Sequence, residues 1–157
     1  MNFWGKYKKH IVAGLFGFGL AALFLWPQIY NPYGEIINKY KKAGLECMSG
    51  HARAIQHFHP HLTILVDNKE EGMPANLGIV SNCMGEIHTH DATGTLHVES
   101  SSADKVFYFK QFFGIYDKPM EREGYSLTMA VDGQPSQELG ELVLKDKQEI
   151  VLEYKKQ

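Results

Sequence analysis

Little in this sequence announces a reaction. Its 157 residues include only two cysteines, Cys47 and Cys83, which form no Cys-x-x-Cys pair and stand at no zinc-finger spacing. No serine or cysteine sits in a nucleophile motif, no glycine-rich loop could cradle a phosphate, and no dinucleotide fingerprint follows a strand pattern. Catalysis is therefore the weaker reading from the outset. The formal net charge is −2 and no basic block lies outside the N-terminus, so the electrostatic footprint of nucleic-acid binding is missing. No nucleic-acid partner is expected. The length leaves room for one ordinary domain of ~100–150 residues and an appendage, not for two domains.

Residues 2–10 carry Lys6, Lys8 and Lys9 with no acid, and an unbroken apolar run over 11–26 follows, closed by Pro27. The run is shorter than the ~20 residues a helix uses to cross the hydrocarbon core. Trp4, Tyr7, Trp26 and Tyr30 can occupy the two interfaces and make up the difference. Lysines precede the run and none follows at once, so the positive-inside bias puts residues 1–10 in the cytoplasm, a transmembrane anchor over 11–27, and the rest outside the cell membrane. The competing reading is a cleaved signal peptide, but no small residues stand at cleavage spacing after the run. Ala13, Gly17 and Ala21 recur every four residues, as in helix-pairing seams, a spacing that is common by chance. Residues 28–56, with Pro32, Gly34, Gly44 and Gly50, read as a stalk containing one short helix.

From His61 onward the period becomes two. Leu62, Ile64 and Val66 alternate with His61, Thr63 and Leu65, and Asp67-Asn68-Lys69 supplies a turn, so a hairpin is expected with residues 71–79 as its second strand. Leu96 and Val98 mark another half-buried strand. Phe109, Phe112, Phe113 and Tyr116 fall on one helical stripe, and core packing is the expected use of those rings. Asp132-Gly133 links strand 125–131 to the next strand by a two-residue hairpin. A closing hairpin is expected between Leu142 and Leu144 and the strand of Ile150, Leu152 and Tyr154. One sheet packed on one helix satisfies this order, and the fold class is α+β, a β-grasp-like mixed sheet over residues 57–157.

The chemistry concentrates in histidine. Of eight histidines, His57, His59 and His61 recur at every second position in Gln-His-Phe-His-Pro-His, and His88 and His90 do so in Ile-His-Thr-His-Asp. His97 and Glu99 repeat the spacing once more. In extended backbone such residues project from one face, and neutral imidazole is the commonest protein ligand for borderline metals. His59, His61, His88 and His90 are the first candidates for a copper or zinc site, with His57 and His97 next. Asp91 and Glu99 are expected to receive histidine N–H groups around it. His51 and His10 are assigned no role. Met48, Met73 and Met84 would suit cuprous copper, although core filling explains each of them as well. Outside the membrane, Cys47 and Cys83 are candidates for a disulfide; as free thiols they would be soft metal ligands.

Several of these motifs together resemble a family of exported or membrane-anchored proteins of bacteria and archaea. The likeness covers about residues 57–119 and rests on a histidine pair before the first strand, Ile-His-Thr-His-Asp, Gly-Thr-Leu-His-Val-Glu, and the helix start Gln-Phe-Phe. The closing Leu-Val-Leu-Lys-Asp-Lys-Gln-Glu-Ile-Val-Leu-Glu-Tyr is similar to the last segment of ubiquitin-like β-grasp domains, with Lys147 where glycine is usual. The resemblance implies a fold and a site but no activity. Two classes of function follow: an extracytoplasmic module that binds a transition metal, or an assembly subunit of a membrane complex whose histidine face docks a partner. A metal-dependent enzyme, with an acid–base pair or metal-activated water, is the third and weakest.

Overall fold

A computed structural model describes residues 32–48, 50–80 and 83–157. The anchor expected over 11–27 and the lysines before it lie outside those residues. Among the described residues no helix is long and apolar enough to cross a membrane. The chain divides into two compact units, Met1–Glu35 and Ile36–Gln157, and the second carries every feature discussed below except the first turn of one helix.

Helix α1, Pro32–Lys42, opens on proline, whose missing N–H would have had no helical partner, and ends on Lys39, Lys41 and Lys42, which complement its C-terminal dipole. Its apolar residues Ile36, Ile37 and Tyr40 join the core, as does Leu45 just beyond it. Most of the segment read as a stalk is thus part of the compact unit. An apolar helical face was the local signal for this: Ile36, Ile37 and Tyr40 stand one and four residues apart.

Among the described residues eleven short strands follow: β1 Cys47–Met48, β2 Gln56–Phe58, β3 His61–Val66, β4 Lys69–Glu70, β5 Ile79–Val80, β6 Cys83–Gly85, β7 Ile87–His88, β8 His97–Ser100, β9 Tyr125–Val131, β10 Gln134–Ser136 and β11 Glu149–Lys156. Helix α2, Phe109–Ile115, lies between β8 and β9. The unit is mixed α+β and mostly sheet. Its main sheet has the order β10-β9-β11-β3-β4, with β3 and β11 parallel at its centre and the other pairs antiparallel. Register places Ile150 beside Leu62 and Leu152 beside Ile64, so their side chains share a face. All four are at most 2% exposed, and they meet Phe109 and Phe112 of α2 in one core cluster. The aromatic stripe is core, as its spacing implied.

Two expected pairings differ. The hairpin partner of β3 is the short Lys69–Glu70 and not residues 71–79, because Asp67 and Asn68 turn at φ 49° and 64° and Gly72 and Pro74 then end the strand. The closing hairpin does not form either. Val143 bridges Tyr108 and the Leu144 N–H donates to the Phe107 carbonyl, while β11 inserts between β3 and β9. A strand whose Ile150, Leu152 and Tyr154 are all fully buried needs the central position, where both neighbours are strands.

Two small three-stranded sheets complete the unit, β1-β6-β5 and β2-β8-β7. Cys47 and Cys83 are joined by a disulfide, tying β1 to β6. Neither cysteine remains a free thiol.

Candidate metal centre

The histidines meet on the β2-β8-β7 sheet. Antiparallel register sets His57 opposite Glu99 and His88 opposite His97, while Phe58 and Ile87 both lie opposite Val98. Alternation therefore gives the sheet a chemical face of His57, His88, His97 and Glu99 and an apolar face of Phe58, Ile87 and Val98 turned to the core. His59 and His90, two residues beyond His57 and His88, extend the same face. His51 joins from a short 3-10 turn, His51–Arg53, held to β8 by the Ile55 N–H donating to the Ser100 carbonyl at 2.7 Å.

Six imidazoles are thereby brought into contact. Ring centroids of His57 and His59, and of His59 and His97, lie 4.6 Å apart; those of His90 and His97 lie 4.4 Å apart, and those of His88 and His90 4.9 Å. The His51 ring stands 5.5 Å from His90 and 6.0 Å from both His57 and His88. Four overlapping trios have ligand atoms all within 4.8 Å of one another: His51-His88-His90, His57-His59-His97, His51-His57-Glu99 and His88-His97-Glu99. Ligands ~2.0–2.1 Å from one zinc-sized ion at tetrahedral angles are about 3.4 Å apart, so small side-chain adjustments complete such a site.

His88 is the most tightly prepared ligand. Its Nδ1 lies 2.9 Å from the Gly85 carbonyl, which can only accept, so Nδ1 carries the proton. Burial pushes its pKa down to about 4, so near neutral pH the ring is uncharged and Nε2 presents a lone pair. That Nε2 is buried and has no hydrogen-bond partner among the described residues, and the same is true of His97 Nδ1 and Glu99 Oε2. His97 is likewise held down to about 4, first by burial and then by repulsion from His90, His59 and His57. Buried polar atoms in native proteins are nearly always satisfied, so three unmatched acceptor-capable atoms at one spot mark a place built for an electrophile.

The backbone that carries His88 and His90 is locked by the residue between them. Thr89 is fully buried; its hydroxyl donates to the Pro74 carbonyl at 2.8 Å and accepts the Leu77 N–H at 3.0 Å. Gly78 passes directly behind: at φ 82°, a Cβ there would stand 2.6 Å from the Ile87 carbonyl oxygen and 3.0 Å from His88 Cβ. Only glycine lets the two segments come so close. The His59 backbone is clamped as well, its N–H donating to Asp146 Oδ1 at 3.0 Å and its carbonyl accepting from the Lys147 N–H at 3.1 Å.

The structure places the expected site residues unevenly. His57, His59, His88, His90 and His97 converge, and His61 does not. His61 donates through Nε2 to the Thr93 carbonyl at 2.8 Å, and its Nδ1 lies 3.2 Å from Glu149 of the neighbouring strand. Pro60 is the cause: the chain leaves the small sheet after His59 and enters the main sheet at His61, so the alternation restarts. Asp91 receives the Thr93 N–H and hydroxyl at 2.9 and 2.6 Å, bonds that lower its pKa, and so shapes the turn before β8. Glu99 is wholly buried beneath His51 and His57, with Oε1 2.5 Å from His51 Nδ1, the kind of contact expected of it, and 3.2 Å from His57 Nε2. Met48 and Met73 are buried and belong to the apolar residues of the unit. His51 was missed; no period links it to the other histidines.

Comparison of the chain with known protein families, with curated proteins and with solved structures gave no match.

Proposed function

We propose that this protein is a membrane-anchored, extracytoplasmic module that binds a transition metal, copper or zinc, through its histidine cluster. The observation that carries the reading is His88: a neutral imidazole whose Nδ1–H is fixed on a backbone carbonyl and whose buried Nε2 lone pair faces other histidines. Metal-bound histidines are held in this way, their second nitrogen donating to a carbonyl or carboxylate. With both cysteines in a disulfide the donors are imidazole nitrogen and carboxylate oxygen, which suit zinc and cupric copper. His51, His57 and His90 are exposed, so an ion can enter and leave from solvent.

The anchor and its orientation rest on the apolar run and the lysines before it, and the disulfide fits an oxidising compartment outside the membrane. Partners on this reading are the bilayer, through the N-terminal segment, and a membrane complex that supplies or receives the ion. We read the main sheet as a β-grasp: parallel first and last strands at the centre, a hairpin on either side, and a helix against one face.

The test is elemental analysis of the full-length chain, purified in mild detergent without a histidine tag and dialysed. Retention of copper or zinc at a fixed ratio to protein is expected. No retention, even after reconstitution with either ion, would assign the histidine face to partner docking.

A further inference from the structure

The cluster contains more ligands than one ion uses. A zinc or copper ion takes three or four protein donors, yet six histidines and one carboxylate meet here. The six histidines divide into two trios with no member in common, His57-His59-His97 and His51-His88-His90, each with ligand atoms within 4.8 Å of one another. The trios abut without a layer of protein between them, since His90 and His97 are 4.4 Å and His88 and His97 5.3 Å apart by ring centroid.

Glu99 touches both trios. Its Oε1 is 2.5 Å from Nδ1 of His51, in one trio, and 3.2 Å from Nε2 of His57, in the other. A carboxylate only accepts, so the His51 ring points its Nδ1–H at it and would hold a metal through Nε2. One buried acid thereby sets the tautomer of a ligand in one trio and lies against a ligand of the other.

Charge supplies a second argument. The unit buries two glutamates, Glu86 and Glu99. Glu86 is matched by the ammonium of Lys105 at 2.5 Å and by the Ser100 hydroxyl at 3.0 Å. Glu99 has only histidines as ion-pair partners among the described residues, and its Oε2 has no partner there. A buried carboxylate needs a compensating cation, and ions held by the trios would supply it.

We infer that the cluster is a two-ion centre, with one transition-metal ion held by His57, His59 and His97, a second by His51, His88 and His90, and Glu99 as the positioning carboxylate common to both. The inference rests on the metal-binding reading above and adds the number of ions and their division among the ligands. Three protein ligands leave each ion a further position open to an exchangeable ligand.

The test uses the full-length chain, stripped with chelator, loaded with zinc or cupric ion and freed of excess by gel filtration. Two ions per chain are expected. His57 and His90 have exposed side chains, so His57→Ala and His90→Ala should fold normally, which circular dichroism and the intact disulfide would verify. Each should retain one ion and the double variant none. With copper, the parent should show spin–spin interaction between two cupric ions in its electron paramagnetic resonance spectrum, and each single variant an isolated cupric signal. Glu99→Gln should weaken retention at both positions by ~10–100-fold; a purely structural Glu99 would change the melting temperature and leave both affinities alone. One ion per chain in the parent, lost wholly in either single variant, would overturn the two-ion inference and leave the metal-binding function standing. No ion in the parent would overturn both.

Discussion

His61 and Glu149 face each other across the parallel pair β3 and β11, with Nδ1 of the imidazole 3.2 Å from the carboxylate. His51, ten residues before His61 in the chain, makes the shorter contact with Glu99 and belongs to the cluster. The two histidines thus have opposite expectations. His61→Ala should leave metal retention within a factor of about two and change stability slightly, as a partly exposed pair does. His51→Ala should lower retention by at least ~10-fold, since it removes a ring from two trios. Competition against a chromogenic chelator measures both. Equal effects would mean that the cluster is not the site.

Thr89 should matter to the metal without touching it. Its hydroxyl joins the Leu77 N–H to the Pro74 carbonyl, so Thr89→Val leaves that amide without its acceptor at nearly constant volume. The expected cost is ~1–3 kcal/mol in urea unfolding of the metal-free chain. Weaker ion retention should accompany it, because His88 and His90 flank the residue. A variant as stable as the parent would show that the hydroxyl bridge contributes nothing net.

How much of this was legible is a question of periodicity. The shared face of the histidines within each segment could be read because an extended chain puts residues i and i+2 on one face, and five of the six clustered histidines obey that rule. His61 obeys it in sequence and not in space, since Pro60 marks the passage from one sheet to another. His51 rides a 3-10 turn behind Gly50 at φ 101°, where no repeating pattern exists to find. The parallel pairing of β3 with β11 joins segments almost ninety residues apart, so the local hairpin expected for β11 gave way to a distant partner beside which Ile150, Leu152 and Tyr154 are fully buried. The burial of Glu99 was not legible, because alternation reports a face and says nothing of what covers it.

Acid should destabilise the unit through Glu71. The Arg122 guanidinium holds both of its oxygens, at 2.8 and 3.0 Å, and with Lys118 and the Tyr116 hydroxyl brings its carboxyl down to about 2 against partial burial. A folded-state pKa below the unfolded value means stability that is present above the ordinary carboxylate range, near 4.5, and is lost as pH falls from there toward 2. The loss attributable to this group is on the order of 2 kcal/mol, allowing for solvent near the pair. Glu71→Gln should be less stable than the parent at pH 7 and show a shallower decline between pH 4.5 and 2 in thermal melts. Parallel curves for the two proteins would locate the acid sensitivity elsewhere.

The disulfide should anchor the strand that leads into His88. Cys83 begins β6, two residues before Gly85, whose carbonyl receives the His88 ring, and the bridge closes a loop spanning 36 residues. Replacing both cysteines with serine should cost ~2–4 kcal/mol by the loop-entropy argument. Chemical denaturation with and without reductant measures it, and thiol labelling confirms the state of the bridge. No shift in the unfolding midpoint on reduction would show that β1 and β6 are held by their hydrogen bonds alone.

Lys147 offers a gain in place of a loss. It sits at φ 58°, in the left-handed region where a Cβ crowds the following carbonyl at a cost of ~1–2 kcal/mol that glycine does not bear. The side chain is exposed, while the Lys147 N–H, which glycine keeps, donates to the His59 carbonyl. Glycine also frees the unfolded chain, which returns part of the benefit. Lys147→Gly should therefore stabilise the unit by about 0.5–1 kcal/mol, seen as a rise of a few degrees in the melting temperature. Since Asp146 and Lys147 together clamp the His59 backbone, metal retention should be unchanged or slightly improved. A lower melting temperature would mean that the lysine side chain stabilises this turn by more than its backbone strain costs, and the turn would have to be re-examined for a partner of the ammonium.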